Sequence, residues 1–456
     1  MIKRSGGIGC SPLADSSKQP EEQGTETDTP PVQRQQSFAG SLFRFQETID
    51  AIRQLHNEVC GHAAELDRRR ISAEELSAVK SLDPDRREKF KRWLESGSKT
   101  NAGGSEGQKS LDTERNKQAL SEIFGDNQVA IGQAQLMLSR ALLTPNREML
   151  LRSSLLTMAV SGFEVLLGGL AARHYELHPG SIGSEKRFSL REIADFDSLE
   201  DVQDAAIAHS VYKLLQAPLD DWTKWLDQGS GLGVKLKNLA IDYDELGEII
   251  QRRHVIVHNG GAVSALYLER VRLDGDSPAV GTMLSVGEDY LENALDHLDS
   301  AGNLVGVGVW AKERPAAENR AVSALSNRME QLLFEGRWLP LRQICLVGKK
   351  IAALDVQHQI FKVNEWLSIK RLGGLDSIAE EIRNDWDTSA LGPQFQLVQR
   401  ALLDEADAFF ALAPTVYGDG GIQLEQLNSW PVFEELRADR RFAEMLAGNG
   451  DLDKDD

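Results

Sequence analysis

The sequence reads as an all-α protein, and three observations carry that expectation. Apolar residues recur at three- and four-residue steps along most of the 456 positions. Helix start and stop signals punctuate these runs, among them Thr144-Pro145 before one segment and Asn259-Gly260-Gly261 after another. No stretch shows the strict two-residue alternation of a half-buried strand. The expected architecture is a helical bundle in the centre, a helical hairpin before it and a helical array after it.

In order along the chain, residues 1–37 are rich in Ser, Gly, Pro, Gln and Glu and poor in large apolar groups. Such a segment cannot offset the entropy of ordering, so it reads as a disordered leader. Residues 38–95 read as a helical hairpin or coiled coil. Leu42, Phe45, Ile49, Ile52 and Leu55 form the first stripe, and a second pattern from Ala73 to Trp93 breaks near Pro84. His56, Cys60 and His62 are close in sequence but lack a fourth metal ligand at useful spacing. They are read as two solvated histidines and a cysteine in the helix seam. Residues 96–112 are a Gly/Ser linker and mark a domain boundary.

Residues 113–310 are expected to form the central helical domain. A helix to about Leu143 breaks at Gly125, and a long apolar helix follows from Pro145 to about His178. Its most apolar window contains Ser153, Ser154, Thr157, Ser161 and Glu164, which suits a buried helix better than a membrane span. Its small residues, Gly162, Gly168, Gly169, Ala171 and Ala172, allow close approach of another helix, in the core or in a dimer. His174 and His178 read as partners of the helix C-terminal dipole. The turn Gly229–Gly233 lacks the Gly-Lys-Ser/Thr ending of a phosphate loop and is taken as a connector. A last helix of this domain is expected to end near Leu304. Residues 316–447 read as a helical array loosely similar to tetratricopeptide repeats, and 448–456 as an acidic tail.

The chemistry concentrates at Gln251-Arg-Arg-His-Val-Ile-Val-His-Asn-Gly-Gly261. It follows the carboxylate-rich segment Ile241–Ile250 and sits at a helix C-terminus. His254 and His258, four residues apart, stack on one helical face, while Arg253 and His258 share a face only loosely. A guanidinium can grip a phosphate with two parallel hydrogen bonds, and an imidazole can move a proton near neutral pH. Val255, Ile256 and Val257 are expected to bury the opposite side of the turn. Glu164 lies among apolar neighbours and needs a cation, either Arg252 or Arg253. That contact would either orient an arginine for phosphate or merely tie two helices together.

Arg253-His254-Val-Ile-Val-His258 resembles the Arg-x4–6-His signature of the HEPN superfamily, and the surrounding segments at about 145–300 resemble its helical hairpin. The resemblance implies a metal-independent endoribonuclease, often a toxin or phage-defence effector, working as a homodimer whose two motifs share one cleft. Arg253, His258 and His254 would be its catalytic residues, with Glu164 an orienting carboxylate. His258 would act as general acid or base, Arg253 would stabilise phosphoryl charge, and His254 would position substrate. RNA would be the substrate, with no metal and no other cofactor.

The alternative is a non-catalytic dimeric scaffold of the same type that binds a protein partner through its C-terminal array. A third reading is a nucleotidyl-modified or nucleotide-binding component of a toxin pair. The formal charge of −19 excludes indiscriminate nucleic-acid binding, so any RNA site must be local, among Lys235, Lys237, Arg252, Arg253, Arg270 and Arg272. Three scattered cysteines, Cys10, Cys60 and Cys345, provide no disulfide framework and suit a cytoplasmic protein with no membrane attachment.

Overall fold

The computed structural model describes residues 37–79, 82–97, 118–134, 147–182, 188–229, 232–272, 277–314, 318–416 and 422–449. The expected leader up to 36, the linker from 98 and the tail from 450 lie outside the described residues. The protein is all-α. Among the described residues there is no strand, and an isolated antiparallel bridge joins Ala262 to Met283.

The main helices are α1 (Phe38–Val79), α2 (Pro84–Gly97), α3 (Arg147–Leu177), α4 (Leu199–Gln216), α5 (Tyr243–Asn259) and α6 (Glu288–Glu313). The C-terminal region contributes α7 (Glu318–Phe334), α8 (Trp338–Ile351), α9 (Asp355–Arg371), α10 (Pro393–Leu402), α11 (Ala406–Val416) and α12 (Arg440–Asn449). Short side chains start several of them. Ser37 Oγ accepts the Gly40 amide at 3.0 Å, Ser198 caps α4 and Asp242 caps α5, each filling an amide that has no partner within its helix. α6 runs nine residues past the expected end at Leu304, because Val305, Val307, Val309 and Trp310 are all buried.

α1, α3 and α6 form the centre of the bundle. Gly302 and Gly306 of α6 face Phe45 and Leu42 of α1 so closely that a Cβ on Gly302 would lie 2.1 Å from the Phe45 ring. The small residues of α3 work in the same way within the chain: Gly162 faces Thr48 of α1 and Gly168 faces Leu215 of α4. Between α1, α6 and α7 runs a buried polar seam. Asp299 receives Arg53 Nη1 at 2.7 Å, Arg328 Nη2 at 2.6 Å and Asn303 Nδ2 at 2.7 Å, while Arg328 grips Asp50 with two bonds of 2.8 Å. Two guanidiniums outweigh the burial of Asp299 and hold its carboxyl below the ordinary aspartate range.

This packing redistributes the expected segments. Phe38, Leu42, Phe45, Ile49 and Ile52 share one core with α3, α6 and the C-terminal helices, so residues from 38–95, 113–310 and 316–447 meet in a single cluster. A second cluster joins Leu82, Phe90 and Trp93 to Leu120, Ile123 and Ile131, across the segment read as a boundary. Gly125 does end a helix, at φ +62°. His56 is buried rather than solvated, bonded to Glu292 at 2.7 Å, because α6 covers that face of α1; Leu55, one residue earlier, is exposed. His62 is exposed and Cys60 buried, as read. α3 alone among the described helices is long and apolar enough to cross a membrane, and 56% of its most apolar window is buried inside the fold.

Candidate functional site

α5 presents the Arg/His motif, and its position follows from which of its residues are apolar. Leu246 and Ile249 are buried in the core of the bundle, and Val255 is buried in a separate small cluster with Val263, Tyr267 and Val271. The chain then leaves through Gly260 at φ 60° and Gly261 at φ 90°, backbone that L side chains rarely adopt. The Gly261 amide donates to Val255 O at 3.1 Å, closing the helix. Leu284 N to Gly261 O and Val263 N to Thr282 O, both 2.9 Å, fix the segment after it. Val257 is 50% exposed, so the expected apolar backing of the turn comes from Val255 and the partly buried Ile256.

The two adjacent arginines have different surroundings. Arg252 Nε donates to buried Glu248 at 2.7 Å, its Nη1 donates to Ser285 O at 2.9 Å, and its guanidinium lies 3.8 Å over the Tyr290 ring. Tyr267 and Tyr290 hydroxyls donate to the same Glu248 carboxylate at 2.7 and 2.5 Å. Burial, then Glu248, pushes both phenols above their ordinary range. Arg252 is thus committed to the fold. Arg253, about 100° further round the helix, turns to α3 and donates through Nη2 to Glu164 Oε2 at 3.0 Å, with Ser161 Oγ at 3.5 Å. The choice left open between the two arginines as partner of Glu164 falls on Arg253. Burial raises the Glu164 pKa and Arg253 lowers it, with burial the larger influence.

The His254 and His258 rings lie against each other, tilted, with centroids 4.5 Å apart and planes 46° apart. His258 is exposed in the last turn and His254 is half-buried. Burial, then the charges of His258, Arg270 and Arg253, lowers the His254 pKa, which favours its neutral form. A neutral imidazole touching a second one, beside an anchored guanidinium, can accept a proton and stabilise an anion. Two of the other basic groups read as local RNA contacts face acids: Lys235 lies 3.9 Å from Asp227 and Arg272 3.7 Å from Asp244.

Two features of the site escaped the sequence. Ser161, one helical turn before Glu164, touches Arg253, a spacing that was visible. The second is a stripe of exposed apolar side chains on α3, Leu150, Met158 and Val165, on the face that carries Ser161. A groove of about 310 Å³ runs beside it between α1 and α3, lined by Phe45, Thr48, Met158, Ser161, Gly162 and Val165. Comparison of the chain with protein-family models, with curated proteins and with solved structures finds no match.

Proposed function

We propose that the protein is a metal-independent endoribonuclease of the HEPN type, acting as a homodimer on cytoplasmic RNA as a toxin or phage-defence effector. The observation that carries this reading is the His254–His258 ring pair at the exposed end of α5, next to an Arg253 held by Glu164. In the proposed reaction His258 takes the proton from a 2′-hydroxyl. That oxygen attacks the adjacent phosphorus, the P–O5′ bond breaks, and a protonated histidine returns a proton to the leaving oxygen. Arg253 balances the charge gathering on the phosphoryl oxygens, and His254 positions the substrate. The exposed Leu150–Val165 stripe supplies the surface through which two copies bring their motifs together. Glu164 keeps the guanidinium in one rotamer.

The test is cleavage of mixed-sequence RNA in EDTA by wild-type protein and by His258→Ala, with analysis of the product ends. Products ending in 2′,3′-cyclic phosphate from the wild type, absent with the variant, are expected. Equal cutting by both proteins would remove His258 from the chemistry.

A second reading, the non-catalytic scaffold, draws on the net charge of −19 and on a cavity of about 500 Å³ in the C-terminal array. Met329, Leu333, Ile360, Phe361, Phe395 and Trp430 line it, a surface suited to an apolar protein segment. A folded wild-type dimer that leaves RNA and DNA intact supports this reading.

A further inference from the structure

We propose that His174, His178 and Glu313 bind one divalent transition-metal ion of the zinc class, at a site separate from the Arg253–His258 region. His174 lies in the last turn of α3, His178 is the residue just past its end, four positions on, and Glu313 is the last residue of α6. Their candidate donor atoms all lie within 4.8 Å of one another. His174 Nδ1 faces one carboxylate oxygen of Glu313, and His178 Nε2 faces the other at 2.8 Å. One carboxylate and two imidazoles, with the His178 side chain 54% exposed, match three protein ligands and a position open to water.

The hydrogen bonds around His174 favour the metal-binding tautomer. Ser181 Oγ donates its one proton to His178 O at 2.7 Å, and it lies 3.2 Å from His174 Nε2. Having given its proton away, the hydroxyl oxygen must accept from an Nε2–H. Nδ1 is then the ring nitrogen left to face the Glu313 carboxylate, the position from which it would bind an ion shared with that group. A hydrogen bond on the far ring nitrogen is also the arrangement that orients histidine ligands.

The electrostatic setting points the same way. α3 and α6 both end here, so two helix C-termini bring partial negative charge to a carboxylate whose side chain is 1% exposed. A buried carboxylate in that position needs a positive partner. His174 is packed edge-on to Trp225 at 5.8 Å and Tyr175 at 5.6 Å, which holds its ring in place without competing for the ion. A tetrahedral ion with bonds of about 2.0–2.1 Å sets its donors about 3.3 Å apart. Both Glu313 contacts are closer than this, the one to buried His174 more so than the 2.8 Å one to His178, so the carboxylate and the exposed His178 ring must both draw back to admit the ion. The site clamps the ends of α3 and α6. It lies ten residues, about 15 Å, along α3 from Glu164, and it does not depend on RNA cleavage.

The experiment uses the full chain, tag-free and stripped with EDTA, titrated with Zn²⁺ by calorimetry and with Co²⁺ by visible absorption. One equivalent per chain, a tetrahedral cobalt spectrum and a Zn²⁺-dependent rise in Tm are expected. His178→Ala, whose ring is exposed and leaves the core intact, and Glu313→Gln should each weaken binding by more than about a hundredfold, beyond the loss typical of a supporting residue. His258→Ala should bind as the wild type does, which separates this site from the His254–His258 pair. Absence of a Tm shift and of a cobalt spectrum, or undiminished binding by His178→Ala, would overturn the proposal and leave a hydrogen-bonded His–Glu cluster only.

Discussion

Replacing Gly302 by Ala tests how α1 is seated on α6. A methyl group there would sit 2.1 Å from Phe45 Cε1 and 2.4 Å from Cζ. Ordinary carbon contacts begin near 3.5 Å, so the ring would have to withdraw by about 1.4 Å. Phe45 is 2% exposed and meets Phe163 edge-on at 6.2 Å, which blocks its retreat. Overpacking of this kind costs about 1–3 kcal/mol, and the better helix propensity of Ala returns up to about 1 kcal/mol. The net expectation is a loss of about 1–2 kcal/mol, read as a lower urea midpoint at unchanged slope. Gly61→Ala in α1 supplies the opposite sign: nothing lies within 4 Å of its added Cβ, so it should stabilise by about 0.5–1 kcal/mol. Phe45→Leu should cost less in the Gly302→Ala background than in the wild type, with a coupling of about 1 kcal/mol. A Gly302→Ala protein as stable as the wild type, with no coupling to Phe45, would refute the close approach of the two helices.

Two further outcomes follow from the charges. Asp299 has a folded-state pKa below its unfolded value, so as the pH falls below about 4 the unfolded chain takes up the proton first, and the stability present at neutral pH is lost. Asp299→Asn should therefore cost about 3–5 kcal/mol at pH 7 by stranding Arg53 and Arg328, with the gap to the wild type narrowing toward pH 3 in urea titrations; a gap independent of pH contradicts the assignment. His254 should titrate below the ordinary histidine value of about 6.5 in NMR, and its midpoint should rise in Arg270→Gln, since that charge helps to keep the ring neutral. An unmoved midpoint would rule out that influence of Arg270.

Local features were legible in the sequence. The stripe Leu42, Phe45, Ile49 and Ile52 is buried, Gly260-Gly261 closes α5, and His254 lies against His258, because each depends on helical periodicity or a single backbone conformation. The same periodicity gave no reason to bury His56 while leaving Leu55 exposed, since only the arrival of α6 with Glu292 makes a polar ring the better occupant of that face. It also could not separate Arg252 from Arg253 as partner of Glu164: they differ by about 100° of helix rotation, and what that rotation meets is set by α3 and by Tyr290.

The sequence by itself determined the all-α class, the glycine stop of α5, and the presence of an Arg/His cluster at that helix end, all consequences of contacts spanning about four residues. Tertiary structure alone decided that α1 enters the same core as the C-terminal helices, that Arg253 is the arginine tied to α3, and that Glu313 meets His174. Such pairings join residues far apart in the chain, 281 positions in the case of Asp50 with Gln331. No local pattern encodes them, because they exist only once helices from distant parts of the chain have buried their apolar faces together.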